Sequence, residues 1–127
     1  MITKDEYIEI LQRTGFTPSA DSLSNFEEAA HAAVKLSTMM PGIGVLSVSS
    51  RLNCFYAVCR HLDAMIDDGE LSLDDTQLAL NILRLKDRTF KKAIIAFDGF
   101  GPRLGTRERG ELPRSALEYL AGLEMYG

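Results

Sequence analysis

Cys54, Cys59, His61 and Asp63 fall within ten positions of one another, and His31 lies upstream. Thiol, imidazole and carboxylate are the groups that bind zinc, or that build a nucleophile with its base. Their spacing decides whether they can act together. On a helix, Cys54 and His61 are seven apart and share one face, while Cys59 and Asp63 are four apart and share another. No single face therefore collects three ligands, and neither a CxxC pair nor an HExxH motif is present. Seven residues of helical rise separate Cα atoms by ~10.5 Å, beyond hydrogen-bond reach for a nucleophile and its base. A zinc site would need His31 folded against His61 and Cys54, and a thiol nucleophile would need His31 beside Cys54. Cys59 reads more simply as a small core hydrophobe, with Cys54 flanking the core and His61 partly exposed.

Two other segments carry the residue types of a site without its pattern. Gly42-Ile43-Gly44-Val45-Leu46-Ser47 resembles part of a phosphate loop, but no Lys follows and the third glycine is missing. A turn with Ser47, Ser49 or Ser50 near the next helix start explains it better. The acidic run Asp67, Asp68, Glu70, Asp74 and Asp75 does not match the ligand spacing of an EF-hand loop. It reads as an inter-helix turn with carboxylates at a helix N-terminus. The expectation is no catalytic residue, no metal, no cofactor, and a protein that is not an enzyme.

The residues with a usable pattern are basic. Arg84, Arg88, Lys91 and Lys92 stand at i, i+4, i+7 and i+8, a stripe along one helix. Arg103, Arg107 and Arg109 follow in a glycine-rich stretch. Arginine forks bind carboxylate or phosphate bidentately. These seven residues form the expected partner-binding set. Beyond Phe100 no exposed aromatic set is expected to interleave with them, since Phe90 and Phe97 belong to the apolar face, so base stacking has little support.

The elements that must position this set read as helices throughout. Thr3 and Glu6 fit a capping box for a first helix over about 4–14, with Gly15 as its stop. A second helix is expected over about 21–40, rich in alanine around His31 and halted by Pro41-Gly42. In the third, Val45, Val48, Leu52, Phe55, Cys59, Leu62 and Ile66 follow an unbroken 3, 4 alternation, an a/d seam of about three heptads. Ser72 and two aspartates open a fourth helix of about 25 residues, whose face is Leu80, Leu83, Phe90, Ile94 and Phe97, with Asp87 interrupting it. Residues 98–113 read as a mobile loop or arm, and a last helix follows Pro113. The expected fold is thus one all-α domain over 1–127. It has about five helices, two long central antiparallel ones among them in a bundle-like arrangement. The apolar surface of the third and fourth helices is generous for a monomer, which suggests a homodimer.

Charge is unevenly spread. The chain of 127 residues has a net charge of −4, which disfavours generic polyanion binding by the whole surface. Residues 1–75 hold 5 basic and 12 acidic residues, whereas 76–114 hold 9 basic and 4 acidic. A basic surface sits on an acidic body. No signal-peptide pattern opens the sequence, no run approaches the ~20 apolar residues of a membrane span, and two cysteines make no disulfide framework. A soluble protein of a reducing cytoplasm, with no membrane partner, is expected. Its function reads as non-enzymatic protein–protein contact, that of an inhibitor, antiactivator, immunity protein or adaptor that covers a partner's surface. The alternative is a nucleic-acid-binding accessory or regulatory protein using the same basic residues. Short helix-turn-helix pairs do not fit the expected helix lengths.

Overall fold

The computed structural model describes residues 2–15, 17–40 and 47–126. It is all-α. Helix α1 spans Lys4–Arg13 and starts as its sequence dictates, with the Thr3 hydroxyl accepting from the Glu6 amide at 3.1 Å. Its one fully buried side chain, Tyr7, meets Phe26 with ring centroids 5.5 Å apart. That contact ties α1 to α2, Phe26–Ser37. The expected second helix is longer than the observed one, because residues Asp21–Leu23 form a separate 3-10 turn before it. Ala29, Ala30, Ala32 and Ala33 are all buried. Their small side chains admit the next helix closely, and α2 packs along α4, Thr76–Lys86.

Helix α3, Val48–Asp67, is capped by Ser47, whose hydroxyl accepts from the Ser50 amide at 3.2 Å. Gly69 ends it at φ +77°. The Glu70 amide donates to the Met65 carbonyl and the Gly69 amide to the Ile66 carbonyl, the paired bonds of a Schellman motif. The a/d seam is real in its centre: Phe55, Cys59 and Leu62 are fully buried. It is covered within the chain by α5, Arg88–Phe100, and by α7, Arg114–Tyr126. Val48, at the open end, is exposed. The expectations for Val45 and for the 42–46 turn lie outside the described residues.

Phe55 is the centre of the core. Its ring stacks on Phe97 at 4.3 Å and lies within 6.1 Å of Phe90 and 5.8 Å of Tyr119. Aromatic contacts of this kind add ~0.5–1.5 kcal/mol each beyond area burial. One side chain thus joins α3, α5 and α7.

Seven α-helices, rather than about five, are found among the described residues. Two differences account for the rise. The expected 25-residue fourth helix breaks at Asp87 into α4 and α5. There the backbone is extended, at φ −118° and ψ 115°. The stretch expected as a loop contains a 3-10 turn at Gly101–Arg103 and a short helix α6, Thr106–Gly110. Among the described residues, no helix is long and apolar enough to cross a membrane.

Candidate protein-docking face

Asp87 determines where the basic residues go. One carboxylate oxygen accepts from the Phe90 amide at 3.0 Å, capping α5, and the other accepts from the Ser37 hydroxyl at 2.9 Å. Aspartate is a favoured N-cap because its oxygen satisfies an amide that the first helical turn leaves free. The joint is pinned to the end of α2 by the same side chain. Phe90, Ala93, Ile94 and Phe97 of α5 then face the core with no exposed surface. The opposite arc carries Arg88, Lys91, Lys92 and Ile95.

The seven expected binding residues separate into three groups. Arg84, on the far side of the break, does not continue the stripe. Its guanidinium pairs with Asp98 at 3.4 Å. Asp98 also accepts a short hydrogen bond from the Tyr119 hydroxyl, so α4, α5 and α7 meet at one carboxylate. Burial first, and the Asp98 bond second, push the Tyr119 hydroxyl's pKa upward. Arg109 is likewise committed: it donates to the carbonyls of Leu104 and Pro102 and pairs with Glu124 at 2.7 Å. It fastens the 101–110 stretch to α7. Arg88, Lys91 and Lys92 are exposed, with no ion pair among the described residues. Arg103, on the 3-10 turn after α5, and Arg107, on α6, are also exposed.

Sequence reasoning missed Ile95. It is 49% exposed and sits seven residues after Arg88, on the arc of the three cations. The available signal was an apolar residue in phase with a charged stripe on a helix whose other face was already filled. Phe100, 47% exposed, stands near the C-terminal end of α5. The lysine and arginine stems add apolar area of their own. The arc from Arg88 to Ile95 spans ~10.5 Å of helix. It combines apolar contact with three cations on an element held rigidly by its buried side.

The thiol and imidazole residues are placed apart. Cys59 is buried, and burial pushes its thiol up to about 12 despite a Ser115 contact that lowers it. The Ser115 hydroxyl donates to the Cys59 carbonyl at 2.8 Å. Cys54 is half-buried and contacts Met40 through sulfur at 3.6 Å. His61 is exposed on α3, and His31 is exposed on α2. Asp63 is engaged elsewhere, at the start of α7. Among the described residues, no three His, Cys, Asp or Glu side chains converge to hold a metal ion.

Compared with protein-family models, curated proteins and solved structures, the chain matches none.

Proposed function

We propose that the protein is a non-enzymatic interaction module that docks on an acidic protein surface through α5. It acts as an inhibitor, antiactivator, immunity protein or adaptor by covering that surface. The observation that carries this reading is the exposed arc of Arg88, Lys91, Lys92 and Ile95 on a helix whose other side is locked in the core. Arg103 and Arg107 add positive charge beyond the C-terminal end of α5. Cations around an apolar contact suit a partner with carboxylates around an apolar patch: the charges steer and orient, and the apolar contact adds affinity. Arg84 and Arg109 support the face from within rather than meeting the partner. Two free thiols, Cys54 and Cys59, fit a reducing cytoplasm as the working compartment.

The test is affinity capture from the native host with wild type and a Lys91→Glu/Lys92→Glu variant, each checked for helicity and thermal unfolding. A protein bound specifically by wild type and released by the charge reversal is the expected result. The same protein captured equally by both would sink the assignment of α5. A salt titration against generic DNA and RNA tests the rival class. Affinity falling linearly in log–log salt, with several ions released, would replace a protein partner with nucleic acid.

A further inference from the structure

The α5 arc asks for carboxylates beside an apolar surface, and the chain displays one. An open groove of about 820 Å³ lies between α2 and the C-terminal part of α3, within the ~300–1,000 Å³ range of binding clefts. Val34 and Met65 supply apolar lining, Glu27 and Glu28 supply carboxylates, and His31 stands between them and Val34 along α2. Val34 is 45% exposed. Lys35 is spoken for by Glu70 at 3.3 Å. Glu27 and Glu28 have no ion pair among the described residues.

The two surfaces match in length as well as in sign. On α2, Glu27 and Glu28 stand seven and six residues ahead of Val34. On α5, Arg88 stands seven residues ahead of Ile95, with Lys91 and Lys92 between. At 1.5 Å per residue, each helix sets its first charge ~10.5 Å before its apolar residue. Aligned parallel, Ile95 meets Val34 and Arg88 meets the glutamate pair. Lys91 and Lys92, about one turn on, reach the same carboxylates with their long stems. The chain's own α5 cannot make this contact, because Phe90, Ala93, Ile94 and Phe97 hold it in the core.

We propose that the groove receives the α5 face of a second copy of the chain. Self-association and partner capture then compete for Arg88, Lys91, Lys92 and Ile95, so the free protein covers its own docking face until an acidic partner displaces the copy. This rests on the reading of α5 as the docking face and adds a second ligand for it.

Sedimentation velocity of the full chain across a concentration series, at low and at about 0.5 M salt, tests it; at the higher salt, screening shortens to a few ångströms. Wild type should sediment as a species larger than the 14.1 kDa chain and dissociate as salt rises. Lys91→Glu/Lys92→Glu and Glu27→Lys/Glu28→Lys should each be monomeric alone. Mixed, the two should associate again, because each then offers the charge the other lacks. Recovery on mixing also shows that both variants are folded. A wild type that stays monomeric at low salt and hundreds of micromolar overturns the proposal. So does association that survives either reversal, or reversals that do not rescue each other. The function reading fails separately: Lys91→Glu/Lys92→Glu would then lose self-association and still capture the partner. Glu27→Lys/Glu28→Lys should capture the partner at least as well as wild type.

Discussion

The carboxylate of Asp63, on α3, caps the N-terminus of α7 across the fold: one oxygen accepts from the Ser115 amide at 3.0 Å and the other from the Arg114 amide at 2.9 Å. The first amides of a helix have no partner inside it, and the helix dipole favours a negative charge there. Asp63 meets both needs from fifty-two residues away. Arg114 adds an exposed pair with Asp67, and the buried Ser115 hydroxyl reaches back to the Cys59 carbonyl. Three residues of α3 thus receive the start of α7.

Removing that cap should loosen α7 first. Asp63→Ala is expected to cost about 1–2 kcal/mol, the usual loss for an N-cap. Asp63→Asn should cost less, since one side-chain acceptor survives. Urea unfolding measures the total, and hydrogen exchange at the first turn of α7 shows where it falls. An unchanged urea midpoint with unchanged exchange would mean that the cap contributes nothing.

Gly101 is required for space rather than for backbone freedom. Its φ is −54°, open to any residue, yet a Cβ there would lie 2.9 Å from Cζ of Phe97. That ring is fully buried and stacked on Phe55, so it has no room to retreat. Gly101→Ala should therefore destabilise by about 1–3 kcal/mol, the range for overpacking a core, although alanine ordinarily favours helical backbone by up to ~1 kcal/mol. A variant more stable than wild type in chemical denaturation would show that the ring yields.

Asp87 is the joint on which the orientation of α5 and its basic arc depends. Asp87→Ala removes the cap on the Phe90 amide and strands the Ser37 hydroxyl, at an expected cost of about 1–2 kcal/mol. Ser37→Ala should cost less, about 0.5–1 kcal/mol. The double variant should be less destabilised than the sum, because both changes delete the same bond. Strict additivity in a thermal-unfolding cycle would refute the Ser37–Asp87 contact.

That joint also marks how far the fold was legible from residue types. Local signals read true: the Thr3–Glu6 box starts α1, Gly15 follows its end at φ +84°, and the 55–62 core of the seam is buried. The break at Asp87 was hidden because Leu80 and Leu83 before it, and Phe90, Ile94 and Phe97 after it, keep helical phase across the interruption. An aspartate three residues ahead of a buried phenylalanine was the visible hint of a cap. The binding set divided for another reason. Whether an arginine is free depends on partners distant in sequence, and only the fold brings Asp98 to Arg84 or Glu124 to Arg109. Lys91 and Lys92 stay exposed because, among the described residues, no element packs over the outer side of α5.

The buried thiol of Cys59 makes stability fall at alkaline pH. Burial raises it from an ordinary value of 9.0 to about 12. Below pH 9 the thiol is protonated in both folded and unfolded chains, and stability does not depend on it. Between 9 and 12 the unfolded chain releases the proton while the folded chain retains it, so the unfolded state gains. Cys54 acts in the same direction, raised by burial and by the charge of Asp87. Tyr7 and Tyr119, also raised by burial, join from pH 10 upward. The urea midpoint of wild type should decline from pH 9 to 10, and Cys59→Ala should remove the larger part of that decline. Thiol labelling near pH 8 gives the matching order: Cys54 reacts slowly in the native protein, and Cys59 reacts only on unfolding. Equal slopes for wild type and Cys59→Ala, or native labelling of Cys59 as fast as Cys54, would contradict a sealed, protonated thiol at the contact between α3 and α7.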